Sequence, residues 1–433
     1  MATVQAQGRP QRLWKAVRKT APTADGAGPD TYPAVEIAAM LRSLGIAMLE
    51  VGHPTNLVAE RLLAIASAYT TSAVRLAVFP ATIIVHIDDA QVTDLDETTR
   101  ATVRLDQAST LADIAIQAAA GAIAPRDAVD AVDAMREMPP RFGAALTICG
   151  YVLATVGFGM MLNPTWQALP AYVVLGAVAG LVLVGGRRFP ALAPIQATVA
   201  AFLVTVLAVW FAVGAADEDL LRVVAPPLIA VLPGFALTTG AIELASGQRV
   251  AGASRLIHGV AQLAMLTAGV VVGLRVAGSA QPGGSSAPMG GWSFYVAVLV
   301  MAIGLYWYLS APRGSLLWLV LGLGVALLGQ QVGLLFLEQS MAGGLGAIVA
   351  VIFAVFAAGF KTAPPPMVMV LTVFWGLVPG ALSFIQFTER ATGEVASFST
   401  VQSTGAAVLA IALGILIGWS IIRMSVPRLR LPV

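Results

Sequence analysis

Ten apolar segments fill the chain from Phe142 onward, and each is close to the length of about 20 residues that crosses a lipid bilayer. In lipid every backbone polar group must be satisfied within the protein, so segments of this kind fold as packed helices. The ten segments cover residues 142–162, 168–185, 190–214, 221–243, 251–276, 292–310, 314–337, 342–360, 366–387 and 397–423. The sequence therefore predicts a mainly α-helical membrane protein with ten transmembrane helices.

The part of the chain before these segments carries most of the charge. Residues 1–141 contain 13 Arg or Lys and 16 Asp or Glu, whereas the following 292 residues contain 12 and 7. This contrast predicts an N-terminal domain in water, followed by an integral membrane domain. The net charge of +2, without a basic cluster interleaved with aromatic residues, gives no indication of nucleic-acid binding. The single cysteine, Cys149, excludes an intrachain disulfide and a multi-cysteine metal site, and we expect no cofactor.

Composition divides the chain into six regions. They are a disordered cytoplasmic tail (1–32), a cytoplasmic α/β domain (33–141), a first five-helix transmembrane repeat (142–277), an external linker (278–291), a second five-helix transmembrane repeat (292–424) and a cytoplasmic tail (425–433). Within the α/β domain, hydrophobic periodicity predicts two helices, then three strands, then two closing helices. The predicted strands are 74–79, 82–87 and 102–105, and the closing helices are 111–123 and 125–138.

Basic residues in the loops set the predicted orientation of the membrane region. With the N-terminus inside, nine Arg or Lys residues fall on cytoplasmic loops or ends, and three fall outside. This distribution satisfies the positive-inside rule. We therefore expect a multi-pass protein of the cell (inner or plasma) membrane with both termini in the cytoplasm.

A proline-glycine pair interrupts two of the apolar segments, at Leu232-Pro233-Gly234 and at Val378-Pro379-Gly380. Proline removes a backbone donor and clashes with the preceding turn, so both pairs predict helix breaks. A Gly/Ser/Pro-rich linker splits the ten segments five and five, and an odd number in each half makes the halves insert in opposite directions. Paired breaks in an inverted repeat are the best sequence indication of a transporter binding site. Two packing kinks remain the alternative.

Several motifs occur in the order found in the threonine/serine exporter family, which the chain resembles over roughly residues 33–425. The motifs are Leu44-Gly45, Glu50-Val51-Gly52, Thr55, Val58-Ala59-Glu60-Arg61, Phe79-Pro80-Ala81-Thr82, Arg126-Asp127-Ala128, Met138-Pro139-Pro140 and the two Pro-Gly pairs. His53-Pro54 departs from the small residues that many relatives have there. The resemblance implies proton-driven export of L-threonine and L-serine. Because some relatives are linked to dicarboxylate efflux, export of a dicarboxylate or another small metabolite is the alternative.

A zwitterionic substrate needs partners for its carboxylate and for its ammonium group. A half-helix starting at Gly234 would offer free N–H groups to the carboxylate, and the carbonyls before Pro233 would accept from the ammonium. Thr238 and Thr239, one turn further, would bind the carboxylate or the substrate hydroxyl. Pro379, Gly380 and Ser383 would repeat this arrangement from the other half. Hydrogen bonds from these hydroxyls to their own helices are the alternative.

Two ionisable residues within the apolar segments are candidates for proton coupling. Glu243 ends segment four and His258 lies about two turns into segment five, so they flank one short loop and could approach each other. The alternatives are an interfacial carboxylate near Arg249 and a packed, hydrogen-bonded histidine. Gln330 and Gln331, in an otherwise apolar stretch, are candidates for lining the cavity, with interhelical hydrogen bonding as the alternative.

A membrane-tethered hydrolase or other enzyme in the α/β domain is the rival class of function. Its polar residues are His53, Glu60, Arg61, His86, Asp88 and Asp89, with His86 and Asp88 on one side of a strand. No G-x-S-x-G, HExxH or cysteine nucleophile accompanies them, so we expect a protein that is not an enzyme. Glu60 and Arg61 are expected to form a structural pair or to line an interface. The scattered glutamines do not form the continuous polar stripe of a passive channel, and a homo-oligomer is compatible with the sequence.

Overall fold

A computed structural model describes residues 30–88, 92–98, 104–213, 220–278, 287–377, 388 and 398–425. The described chain is mainly helical and contains one small antiparallel sheet. Most of the predicted N-terminal tail lies outside the described residues, as do Asp89 and the second proline-glycine pair.

The N-terminal domain consists of a three-stranded sheet and four helices. Its elements are α1 (Ala34–Val51), α2 (Thr55–Ala66), β1 (Val74–Val78), β2 (Thr82–Ile87), β3 (Val92–Glu97), α3 (Leu105–Ala119) and α4 (Pro125–Glu137). The strand order is β1-β2-β3, with Val74 opposite Ile87 and Thr82 opposite Glu97. Alternate residues of β2 (Ile83, Val85 and Ile87) are buried among the helices, as expected for a strand with one covered face.

The predicted third strand at 102–105 is wrong where the structure describes this range, because Arg104 lies in no strand and Leu105 begins helix α3, while β3 is Val92–Glu97. Arg104 is the residue before that helix, and its N–H donates to Gln107 Oε1 at 3.1 Å. This side-chain contact satisfies a backbone donor at the helix start, as in a capping box. The observed strand is too polar for a hydropathy pattern to reveal. Its carboxylates Asp94 and Asp96 lie 3.1 and 3.8 Å from the guanidinium of Arg42.

Apolar helices occupy every one of the ten segments proposed from the sequence. They are α5 (Ala144–Leu162), α6 (Ala168–Gly186), α7 (Gln196–Leu207), α8 (Leu220–Val224), α9 (Gly234–Ala245), α10 (Arg249–Ala277), α11 (Ser293–Tyr308), α12 (Leu316–Gly333), α13 (Gln339–Ala357), α14 (Pro366–Leu377) and α15 (Phe398–Ser425), with a 3₁₀ turn (Pro190–Ile195) before α7 and a π-helical turn (Ala208–Ala212) after it. In the described part of the chain, seven helices are long and apolar enough to cross a membrane, while α9, α11 and α14 are shorter.

The first helices of the two predicted repeats, α5 and α11, pack closely against each other. Gly150 and Gly157 of α5 face the backbone of α11: a Cβ atom at Gly150 would lie 2.6 Å from the Tyr308 nitrogen, and one at Gly157 would lie 2.6 Å from the Met301 nitrogen. Small residues permit this close approach of helix backbones, which stabilises association in lipid through van der Waals contact.

The fourth apolar segment is broken before Gly234. After α8, residues Pro226–Val231 form a 3₁₀ helix, Leu232 is extended (φ −69°, ψ 131°), and α9 starts at Gly234. Two of the carbonyls in this stretch are already bonded: Tyr151 Oη donates to Pro227 O at 2.6 Å, and Gln262 Nε2 donates to Val231 O at 2.8 Å. Both carbonyls precede Pro233, where the sequence predicted free acceptors for a substrate ammonium group. These two are instead hydrogen-bonded by protein side chains.

The N-terminal domain is packed directly onto the membrane helices. The backbone N–H groups of Leu105 and Asp106 donate to the carbonyls of Leu309 and Ser310, each at 3.1 Å. Arg141 donates to the carbonyl of Ala311. The hydrophobic core of the domain continues into Ala311, Leu319 and Val368 of the membrane region. Helix α2 also touches the membrane region directly, since its Thr55 contacts Glu243 of α9 and its Glu60 contacts Arg423 of α15.

Candidate functional site

A cavity of about 740 Å³ lies where α2 meets the membrane helices. Its walls come from both halves of the membrane region, α9 from the first and α14 and α15 from the second. The lining residues are Pro54, Asn56, Leu57, Ala59, Glu60, Arg61, Leu63, Ala64, Phe235, Thr238, Thr239, Ile242, Ser246, Gln248, Met367, Val370, Leu371, Phe374, Ile415, Leu416, Trp419, Ser420 and Arg423. A volume of this size is in the range of small-molecule pockets.

Thr238 and Thr239 lie in the wall of this cavity and are almost completely buried, with 1% and 3% of their surface exposed. The Thr238 hydroxyl has no hydrogen-bond partner within the described residues. Two buried threonines of other helices do bond their own helix: Thr205 Oγ1 donates to Ala201 O at 2.7 Å, and Thr372 Oγ1 donates to Val368 O at 2.9 Å. Thr155, which is buried on α5, resembles Thr238 in having no partner among the described residues. The bond to the preceding helical turn, which was the alternative for Thr238, is therefore not formed.

The start of α9 presents aromatic rather than polar surface to the cavity. Pro233 and Gly234 are not among its lining residues, whereas Phe235 is. The Phe235 ring stands edge-on to Phe374 of α14, with 5.7 Å between ring centroids. Gly52, which has a left-handed φ of +92°, lies so close that a Cβ atom there would be 2.5 Å from the Phe235 ring. The N-terminal domain thus touches the first turn of the broken helix.

The remaining substrate candidates either fall outside the described residues or do not line the described cavity. Pro379, Gly380 and Ser383 fall outside the described residues, although α14 just before them supplies four lining side chains. Gln330 is partly buried at the contact between α12 and α13, close to Gly346, and Gln331 is exposed. Neither glutamine lines the cavity.

Glu243 is completely buried and joins the two parts of the molecule. Its Oε2 atom accepts a hydrogen bond from Arg255 Nε at 3.0 Å, and its Oε1 atom accepts from the Thr55 backbone N–H at 2.9 Å. Because Thr55 is the first residue of α2, the carboxylate also lies at the positive end of that helix dipole. The salt-bridge partner is Arg255, not the Arg249 proposed from the sequence. His258 is exposed on α10.

The sequence did not assign Arg61 and Glu60 to a cavity; it predicted that they form a structural pair or line an interface. They do not pair with each other. Glu60 Oε2 lies 2.7 Å from Arg423 Nη2 of α15, and Arg61 Nη1 lies 3.5 Å from His53 Nδ1. Burial lowers the pKa of Arg61 to about 10, so it stays charged at neutral pH. Burial, and then the charge of Arg61, hold the pKa of His53 well below 6.5, so this imidazole is neutral.

His86 and Asp88, the core of the enzyme alternative, do come together in the N-terminal domain. His86 Nε2 lies 3.3 Å from Asp88 Oδ1, and Arg75 contacts the same carboxylate at 2.7 Å. The pair lines neither the large cavity nor a smaller one of about 100 Å³ beside His53. In the described ranges, no cluster of three His, Cys, Asp or Glu residues is arranged to hold a metal ion.

Comparison with known proteins identifies the class of this chain. Residues 39–277 match the model of the ThrE family, described as "Putative threonine/serine exporter". No curated protein and no solved structure matches the chain significantly. The matched region contains most of the N-terminal domain, the broken helix, Thr238, Glu243 and Arg61, and it makes up more than half of the chain. The protein therefore belongs to the threonine/serine exporter family of membrane proteins.

Proposed function

We propose that the protein is a secondary active exporter of small hydroxy amino acids, L-threonine and L-serine, driven by the proton motive force. The observation that carries this proposal is the cavity between the two halves, beside the broken helix, with an unbonded threonine hydroxyl in its wall. The family description supports the substrate class.

The proposed architecture is an inverted repeat of five plus five spans in the inner membrane. The three shorter apolar helices would complete the ten spans, and residues 220–245, which include the break, are together long enough to cross. Both termini and the N-terminal domain would lie in the cytoplasm, in agreement with the positive-inside distribution of Arg and Lys. Alternating access would then pivot on the breaks at Pro233-Gly234 and Pro379-Gly380.

Thr238 and Thr239 would hold the hydroxyl of the substrate, since they contribute polar groups of α9 to the cavity wall. Ser383 would contribute from the second half. A buried hydroxyl without a partner is unfavourable by roughly 1–3 kcal/mol, which a bound substrate would recover. The site would therefore favour amino acids that carry a hydroxyl group over alanine.

Glu243 is our candidate for proton coupling. Protonation would neutralise the carboxylate that bonds Arg255 and the first N–H group of α2. Proton uptake would therefore loosen the N-terminal domain from the first repeat and help to open the cavity. His258, exposed on α10, has no comparable connection to α2 among the described residues and would act at most as a surface proton acceptor.

Counterflow of labelled L-threonine in proteoliposomes tests the proposal. In the double variant Thr238→Ala, Thr239→Ala, we expect the KM for threonine to rise about tenfold, as the loss of one to two hydrogen bonds implies. Thr205→Ala is the matched control, because that threonine is equally buried but bonded to its own helix. Glu243→Gln should carry out counterflow but not respond to a proton gradient. Unchanged KM in the double variant and unchanged gradient dependence in Glu243→Gln would contradict the site assignment.

A dicarboxylate exporter is the second candidate, favoured by the two guanidinium groups of Arg61 and Arg423 at the cavity. Arg423 is already paired with Glu60, which leaves one unpaired cation in the described wall and favours a substrate with a single carboxylate. Including labelled succinate in the counterflow panel distinguishes the two, since only one substrate class should exchange at micromolar to millimolar concentrations.

A further inference from the structure

Arg61 differs from four other partly buried arginines of the N-terminal domain and its contact region, while a fifth, Arg141, bonds the Ala311 carbonyl and the Tyr306 hydroxyl. Arg42, Arg104, Arg136 and Arg255 each lie between 3.0 and 3.3 Å from a carboxylate oxygen. Arg61 has no carboxylate within 4.0 Å in the described ranges, and its buried Nε atom has no hydrogen-bond acceptor there. Within the described part of the chain, a cation is therefore held at the cavity without a counter-ion.

The histidine beside Arg61 does not supply the missing negative charge. His53 is buried and uncharged, and Nδ1 can at most accept a hydrogen bond from the guanidinium. The nearest acidic neighbour in sequence, Glu60, is engaged by Arg423 at 2.7 Å. A partly desolvated cation without a partner is costly, so a position of this kind is stabilised when an anion enters.

The cavity offers an anion of suitable size a place next to Arg61. The side chain forms part of the wall of the 740 Å³ cavity, which Thr238 and Thr239 line from α9. A guanidinium offers N–H donors in a planar fork, which matches the two oxygens of a carboxylate. A free amino acid carries a carboxylate and a side-chain hydroxyl, and the wall contains a group suited to each.

We propose that Arg61 binds the carboxylate of the transported amino acid, so that the N-terminal domain supplies part of the substrate site. This inference rests on the proposed function, and it replaces the N–H groups at the start of α9 as the carboxylate partner. Helix α2 then carries both a ligand for the substrate and, through Thr55, the contact with Glu243. Movement of the domain would change the substrate site and the proton site together.

Competition in counterflow tests this role with the full-length protein. Labelled L-serine is exchanged while unlabelled L-serine or ethanolamine, which is serine without its carboxylate, is added as competitor. For the wild-type protein, we expect L-serine to compete on the order of 100-fold better than ethanolamine, since a charge-assisted pair is lost. In Arg61→Gln this preference should collapse, with a raised KM for L-serine and little change for ethanolamine.

Two further variants keep the test decisive. Arg75→Gln removes an exposed arginine that pairs with Asp88 in the same domain and should leave the preference unchanged. Arg61→Lys keeps the charge but not the planar fork, so we expect a smaller preference for L-serine than in the wild type. Thermal unfolding checks that each Arg61 variant folds. If Arg61→Gln does not fold, Arg61→Lys takes its place in the test.

The outcomes separate this inference from the proposed function. If the wild-type protein exchanges L-serine and folded Arg61 variants keep both its KM and its preference over ethanolamine, the role of Arg61 is overturned and the exporter proposal stands. If the wild-type protein exchanges neither L-serine nor L-threonine, the proposed function itself is overturned.

Discussion

Helix α2 is joined to the membrane helices at two places, and the two contacts differ in their exposure to water. At its first residue, the Thr55 N–H group bonds the fully buried Glu243, which also pairs with Arg255 of α10. Five residues later, Glu60 pairs with Arg423 of the last helix, and 54% and 62% of these two side chains are exposed. Buried charges are strongly destabilising when one partner is lost, whereas exposed pairs contribute little. Of these two contacts of α2, the one to Glu243 is therefore the strong anchor, and the one to Arg423 contributes little.

Removing the carboxylate of the buried contact should have the largest effect. In Glu243→Ala, Arg255 loses its counter-ion and the start of α2 loses its acceptor, so we expect the free energy of unfolding to fall by about 3–5 kcal/mol. Thermal unfolding in detergent measures the change. The double variant Glu243→Ala, Arg255→Ala should recover part of the loss, because no buried charge is then left unpaired. Equal stability of the single variant and the wild type would contradict the anchoring role.

Lowering the pH should reduce the free energy of unfolding by a smaller amount, because of His53 in the N-terminal domain. Burial and the charge of Arg61 hold the pKa of His53 well below 6.5 in the folded protein, while the unfolded chain has the ordinary value of 6.5. The contribution of neutral His53 to stability is complete above pH 6.5 and is lost as the pH falls below it, because only the unfolded state takes up the proton. Thermal unfolding at pH 7.5 and pH 5.5 should show a smaller loss in His53→Gln than in the wild type. Identical losses would exclude His53 as the cause.

Breaking the exposed contact should have the smallest effect on stability. Glu60→Gln and Arg423→Gln are expected to change the free energy of unfolding by at most about 1 kcal/mol, since water and salt screen the pair. Added salt should reduce even this difference. Thermal unfolding at low and high ionic strength measures it, and a loss as large as that in Glu243→Ala would show that both sides of α2 are anchored equally.

Hydropathy and turn chemistry predict the membrane helices and one of the two helix breaks. The first predicted segment, 142–162, contains α5 (Ala144–Leu162), and the chain leaves helical geometry at Leu232, just before Pro233. These features depend on local sequence, because apolar length and proline act on the residues around them. The second break, at Pro379-Gly380, lies outside the described residues and stays a prediction.

The contacts that form the candidate site could not be predicted in the same way. Arg423 and Glu60 are 363 positions apart, and Thr55 and Glu243 are 188 apart, so no periodicity connects them. Strand β3 was missed because Asp94 and Asp96 make it polar, and their partner Arg42 comes from another element. The sequence placed Arg61 in a family motif but did not indicate a ligand role, since that role depends on the absence of a carboxylate near it in the described structure.

The cavity wall combines stretches from the beginning, middle and end of the chain: residues 54–64, 235–248, 367–374 and 415–423. During synthesis the first three leave the ribosome well before the last helix does. Until α15 is inserted, the polar face of α2 and the start of α9 lack their final wall. The cavity wall is therefore complete only after α15 has packed against α9. Pulse-labelled nascent chains truncated before residue 398 would reveal whether α2 is already docked at that stage.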